Sequence, residues 1–332
     1  MKCVVGLMLV DAPHSALNNA GMEPGERSEN IVRTKVIRKG RDTYPYVSGQ
    51  ALRYWWRTTL GERFRWNLSP LVREEKITFS EANPLEYADD DVFGYMRAPK
   101  RASKEKDSET VTRLSPLKVS PLISVVPTLP TLDYGTASRQ NGDPVPYEHE
   151  FYSTILKGIF SLDIERVGVF TSINRSGYKN LTKVVEKAAQ ERGLVRSEEG
   201  WRLDIDERKR RVRDTLGALP YIFGGAMSAR HLTDVTPKLL LLTLIEGGNH
   251  PLMNVVYGVE GRALLDINAL DQVLNDYRSS FLAPLHIGRR AGFMEEVERE
   301  LTPEIVSKNG IVCGSINDIV DKFSSVVVNM ME

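Results

Sequence analysis

The chain has 332 residues, 41% of them hydrophobic and 27% charged, and a formal net charge of +0; this is the composition of a globular protein with a sizeable core, as one large domain with insertions or as two. The charge balance excludes a protein that coats nucleic acid over its whole surface. Cys3 and Cys313 stand alone at opposite ends, which excludes a disulfide framework and a CxxC zinc pair, and the apolar run Val4 to Val10 is far too short to span a membrane and lacks a signal-peptide pattern.

In chain order, KCVVGLMLV reads as a buried strand, because it is short, apolar and rich in β-branched residues. A polar loop is expected from Asp11 to about Asn30, then a basic extended stretch, IVRTKVIRKGRDTYPYV. From Ile31 to Arg65 nine Lys or Arg stand against Asp42 and Glu62, a net of +7. Ser48 caps a helix reaching Leu60, with Ala51, Leu52, Trp55, Trp56, Thr59 and Leu60 on one face and Arg53 and Arg57 on another; Gly61 is expected to end it.

Residues 62–113 read as an insertion, with an acidic run ADDD at Ala88 to Asp91 that could bind a cation but more often is simply solvated, and a charged KRASKEKDSE stretch. Leu117 to Val126 is a strand, PTLPTLDYGTASRQNGDPVPYEHE an exposed hairpin excursion, and Phe151 to Phe170 a strand again. Helices are expected over Leu181 to Gln190 and Ile205 to Leu216, strands over Ala218 to Phe223 and Leu239 to Ile245, and a last helix over Ile267 to Tyr277 before a mixed tail. From His286 to Glu332 eight acidic residues outnumber five basic ones, so basic and acidic faces could pack copies of the chain head to tail. Such a mixture suits an α+β fold better than regular βαβ alternation.

Catalytic spacings are missing: His14, His149, His231, His250 and His286 form no HExxH, and neither a GxSxG elbow nor a P-loop occurs. The strongest constellation is cationic. Arg33, Lys35, Arg38, Lys39 and Arg41 lead into Ser48, Gly49 and Gln50, where side-chain charge and free helix N–H groups together suit phosphates, and Arg53 and Arg57 would extend that surface by a turn. A solvated basic face beside an ordinary capped helix is an equal alternative. The loop GGAMSARHLTDVTP offers Gly224, Gly225, Ser228, Arg230 and His231 for close contact with a nucleic-acid strand, although glycine pairs more often mark turns.

Three stretches taken together, LMLVDAPHSALNNAG, YPYVSGQALRYWWR and FGGAMSARHLTDVTP, with DVFGYMRA as a fourth, resemble the backbone subunit of type I CRISPR Cascade complexes, the DevR-type family of the RAMP superfamily. The resemblance implies a modified RRM-like (ferredoxin-like) palm with an inserted fingers domain and a thumb hairpin: palm at 1–61, fingers at 62–113, a palm strand at 114–127, thumb at 128–150, and palm completion with the tail at 151–332. It implies binding of guide RNA (crRNA), assembly with further copies along it, presentation of the guide to a target DNA strand, and contact with the large subunit, the 5′-handle-binding subunit and the guide-processing subunit. Ser48, Gln50, Arg53 and Arg57 would then contact phosphates, as would Gly225, Ser228 and Arg230. Met96 and Tyr152 would cover a displaced base, with Tyr134 and Tyr147 as further thumb aromatics.

Related backbone subunits of type III complexes cut RNA with an acidic residue in the loop before the helix motif, and where its aspartate is expected this chain has Glu29 or Asn30. A non-catalytic, cytoplasmic protein without metal, cofactor or membrane partner is therefore expected. A metal-dependent endoribonuclease is the alternative.

Overall fold

The computed structural model describes residues 1–23, 31–74, 77–98, 110–139, 141–173, 179–196 and 200–332. It opens with β1 (Lys2–Ser15), β2 (Asn19–Glu23), β3 (Ile31–Thr34), β4 (Val36–Lys39) and β5 (Asp42–Val47), followed by α1 (Gly49–Phe64). An excursion holds the hairpin β6 (Leu71–Glu74) and β7 (Ile77–Ser80), α2 (Ala88–Phe93), and the ribbon β8 (Tyr95–Arg97) and β9 (Val111–Arg113). Then come β10 (Leu117–Val119), β11 (Leu122–Ser124), and a long hairpin of β12 (Thr131–Ala137) and β13 (Val145–Asp163). A small block follows with β14 (Val169–Thr171), α3 (Lys183–Glu191), β15 (Val195–Arg196) and β16 (Gly200–Arg202), leading into α4 (Ile205–Gly217) and α5 (Ser228–His231). The remainder is β17 (Leu239–Glu246), β18 (Val256–Val259), β19 (Arg262–Leu265), α6 (Ile267–Asp276), β20 (His286–Arg289), α7 (Glu296–Glu300), α8 (Pro303–Asn309), β21 (Val312–Gly314) and α9 (Ile316–Asn329).

This is a mixed α+β fold on a large, mostly antiparallel sheet of order β21-β20-β17-β1-β13-β11-β5-β4. The apolar character of β1 from Cys3 to Val10 follows from its central place, since both faces are covered. Val4, Met8 and Val10 face α1, α4 and α9 through Trp56, Val212, Leu216 and Phe323, while Val5, Leu7 and Leu9 face α6 and the 251–306 segment. Gly6 breaks the run for a packing reason: a Cβ there would lie 2.2 Å from Cζ of Phe160, whose ring sits edge-on to Trp56 at 5.2 Å. The indoles of Trp56 and Trp66 tie α1 to α4 by donating to the Thr215 carbonyl and to Asp214, each at 2.8 Å.

Several local expectations are corrected. The helix does not end at Gly61: it runs to Phe64 and closes on Arg65 in the left-handed region (φ 57°). Gly61 instead leaves room for Leu68, which a Cβ would approach to 2.9 Å. The strand expected at Ala218 to Phe223 is a 3-10 turn over Leu219–Tyr221, where Pro220 has no N–H to give a ladder. The polar loop after Asp11 is shortened by β1 and β2, and the strand expected over Phe151 to Phe170 starts earlier, ends at Asp163 and resumes as β14. The helix at Ile267 is not the last. Ile316, Ile319, Val320, Phe323 and Val327 recur at helical spacing in the tail, and α9 buries all five.

The ADDD run is not solvated either. Asp89, Asp90 and Asp91 are buried in α2, and Asp91 is fully enclosed between two arginines. Its Oδ1 accepts from Arg113 and its Oδ2 from Arg211 at 2.7 Å and the Gly168 N–H at 2.8 Å. Arg113 also donates to the carbonyls of Val169 and Arg166, so the network joins the excursion, the β14–β16 block and α4. The KRASKEKDSE stretch, together with Glu29 and Asn30, lies outside the described residues.

Candidate nucleic-acid interface

The cationic stretch folds as the β4–β5 hairpin, which hands the chain directly to α1. Arg38, Lys39 and Arg41 are exposed at its tip, with the Lys39 ammonium 5.1 Å from the Tyr44 ring centre. Lys35 is half-buried; Arg33 pairs with Glu150 of β13 at 2.7 Å. At the helix start the Ser48 hydroxyl accepts from the Ala51 N–H at 3.2 Å. The first-turn N–H groups of Gly49 and Gln50 have no acceptor within the helix, and Gln50 is exposed. A Cβ on Gly49 would lie 3.1 Å from the Val119 carbonyl, so glycine there permits a close approach of chain to chain.

The two helix arginines point inward. Arg53 donates to the Ser115 hydroxyl at 3.0 Å, to the Leu117 carbonyl at 2.7 Å and to the Phe93 carbonyl. Burial and the adjacent Arg57 cation hold its guanidinium down to about 10. Arg57 lies 4.6 Å from the Phe93 ring centre and 3.3 Å from Asp89, so both cations clamp the DVFG segment onto α1. Tyr152 is likewise a core side chain, 1% exposed, which leaves no face for a base. Met96, on the β8–β9 ribbon, is 66% exposed. Tyr134 is exposed on the outer part of the β12–β13 hairpin.

The glycine pair is positioned by packing. Gly224 takes φ 153° under the Trp55 indole, where a Cβ would come within 2.2 Å of Cδ1; Gly225 (φ 110°) admits Leu17. Beyond them, Ser228, Arg230 and His231 belong to the short α5. Arg230 lies 5.0 Å from the Tyr147 ring centre and His231 lies 5.8 Å from His149.

One residue that sequence reasoning passed over joins these parts. Asn18 accepts the Ser48 N–H on its side chain at 2.9 Å and the Lys35 N–H on its carbonyl at 2.9 Å. The neighbouring Leu17 carbonyl accepts from the Ala226 N–H at 3.0 Å, and Ser15 bonds Thr233 at 2.7 Å. The LMLVDAPHSALNNAG stretch is thus stitched to the helix start and to the glycine loop, while Arg53 and Arg57 bring in DVFGYMRA. All four stretches meet around α1. Nothing in the spacing of LNNAG distinguishes Asn18 from a turn residue. Among the described residues no cluster of three or more His, Cys, Asp or Glu is placed to hold a metal ion, and no helix is long and apolar enough to cross a membrane.

A family profile described as CRISPR-associated negative auto-regulator DevR/Csa2 matches residues 10–259. Among solved structures, a chain of a CRISPR RNA-guided surveillance complex is similar at 10% identity with a TM-score of 0.55, covering 98% of this chain and 99% of that one. A chain of such a complex in a pre-nicking state is similar at 12% identity with a TM-score of 0.59 and the same coverage. No curated protein sequence matches.

Proposed function

The chain belongs to the DevR/Csa2 family of CRISPR-associated proteins, and from that membership we propose that it is a guide-RNA-binding backbone subunit of a type I CRISPR interference complex. The observation that carries the reading is the convergence of the four sequence stretches on α1, next to an exposed cationic hairpin whose own sequence holds a single acidic residue, Asp42 at its tip. Strand order supports an RRM-like palm. β17-β1-β13-β11, with α1 after β1 and α4 after β13, is a βαββαβ arrangement. Its sheet faces are both covered by apolar elements, so bases would not stack on it as on an ordinary RRM, and RNA binding falls to loops and excursions. The 62–113 excursion fits fingers and the β12–β13 hairpin fits a thumb.

In this reading Arg38, Lys39 and Arg41, the helix-start N–H groups with Ser48, Gly49 and Gln50, and Ser228 and Arg230 hold phosphates; Lys35 and Arg33 support the hairpin from behind. Met96 covers an unstacked base. Arg53, Arg57, Gly224 and Gly225 shape the surface without touching RNA. Copies align head to tail along the guide, which is left free to pair with target DNA, and pairing carries the specificity. Copurification tests this: the expected product is several copies on one short RNA. A monomer free of RNA, or one that selects a particular sequence, overturns it.

No catalytic role is assigned. The endoribonuclease alternative rests on Glu29, and incubation with labelled RNA and magnesium or manganese is expected to leave the RNA intact. Cleavage lost in Glu29→Ala would establish the enzyme instead.

A further inference from the structure

The base of the β12–β13 hairpin is closed against α5 by a run of rings that phosphate binding does not use. In order they are His14, Phe151, His231, His149 and Tyr147, with successive centroid separations of 6.2, 6.0, 5.8 and 6.0 Å. The Arg230 guanidinium lies 5.0 Å from the centre of the Tyr147 ring. His149 is 6% exposed, with Nε2 3.5 Å from Asp133 Oδ2. Its Nδ1 and the Nε2 of His231 are buried and have no hydrogen-bond partner among the described residues.

Few charges surround the pair. From β12 there is Asp133, whose side chain is half exposed; from α5 there are Arg230 and His231; Tyr147 lies on the same strand. His14 of β1 stands beyond Phe151, Val32 of the paired strand β3 is apolar, and Glu150 of β13 is held by Arg33. Asp133 therefore draws His149 toward its cationic form, against Arg230 and His231.

We propose that His149, packed on His231, is a proton-operated latch, which holds the hairpin base to the glycine loop while its imidazole is neutral and releases it when that ring becomes a cation beside Arg230. A neutral ring packs against its neighbours without a full hydration shell, whereas an imidazolium at His149 loses hydration in this enclosure and adds a cation to the side of the hairpin base where Arg230 already lies. Burial, first, and then Arg230 and His231 push His149 below its ordinary 6.5, against the pull of Asp133. A histidine depressed in the folded state contributes stability that is fully present above its unfolded value and is lost as pH falls below it. The latch therefore closes at neutral pH and loosens in mild acid. The inference concerns the protein alone and does not require the RNA-binding reading.

Hydrogen exchange on the whole RNA-free protein tests it, with the amides of β12 and the outer part of β13 measured against those of the β1–β17 ladder so that intrinsic pH effects cancel. Protection of the hairpin relative to the ladder is expected to fall about tenfold between about pH 7.5 and 5.5, and to change less than about twofold in a His149→Phe, His231→Phe variant. His149→Gln alone should reduce the loss and serves if the double variant does not fold. In an NMR titration Arg230→Gln should raise the His149 midpoint and Asp133→Asn should lower it. An unchanged ratio in the wild-type protein, an equal loss in the substituted ones, or a His149 midpoint above 6.5 overturns the latch.

Discussion

Two arginine-bearing regions adjoin in the sequence and do opposite work. The β4–β5 hairpin keeps Arg38, Lys39 and Arg41 in solvent, whereas α1, starting only a few residues later, turns Arg53 and Arg57 inward onto carbonyls, a carboxylate and the Phe93 ring. Charge counting puts all five in one basic stretch. The difference lies in what each guanidinium meets: a cation at a turn reaches only water, while one on a helix face opposite a returning loop meets that loop's unpaired carbonyls.

The interior region can be broken hardest at Asp91, the acceptor that Arg113 and Arg211 share. Asp91→Ala leaves the buried Arg113 without its anion and Arg211 with Glu207 alone, and is expected to cost about 3–5 kcal/mol in denaturant unfolding. Arg53→Ala comes next: the Phe93 and Leu117 carbonyls lose a charged donor, at an expected cost of about 1.5–3 kcal/mol. The salt dependence of RNA binding by any folded fraction should not change. A flattened salt slope with unchanged stability would return Arg53 to the phosphate surface.

Legibility in the sequence followed the same division. The apolar runs of β1 and β17, the Ser48 cap and the Ala51–Leu60 face could be read because they rest on local periodicity and capping chemistry. Burial of Asp89 to Asp91 could not, since a carboxylate becomes a core residue only when distant arginines, here Arg113 and Arg211, arrive in space. Gly224 and Gly225 were legible as a close approach, but the approaching groups are Trp55 and Leu17, which tertiary packing alone supplies. The helical period of α9 was present in the tail and was hidden by its mixed charge.

The hairpin should answer in the reverse sense. Replacing Arg38, Lys39 and Arg41 with Gln removes only an exposed contact of Lys39 with the Tyr44 ring among the described residues, so stability is expected to stay within about 1 kcal/mol. RNA affinity should fall at every sequence, and the slope of log K against log salt should drop by about 0.7 for each phosphate that is no longer neutralised, about 2 for three. Unchanged affinity and slope in that variant would leave the hairpin a solvated basic face.

The smallest effect sharpens the account of the interior. Burial raises Asp90 above its ordinary 3.8, chiefly by desolvation, against the Asn83 N–H it accepts at 2.9 Å. For an acid raised in the folded state, the favourable contribution is complete below the unfolded value and is lost as pH climbs through the folded one. At neutral pH an ionised Asp90 is therefore a burden on the α2 hub. Asp90→Asn keeps an acceptor for Asn83 and removes the ionisation, so the variant should gain on the wild type by about 1 kcal/mol or less as pH rises from about 4 to 7. Parallel stability curves over that range would mean that Arg57 and the neighbouring donors already compensate the charge, and that the clamp works as an ion pair rather than as a set of hydrogen bonds.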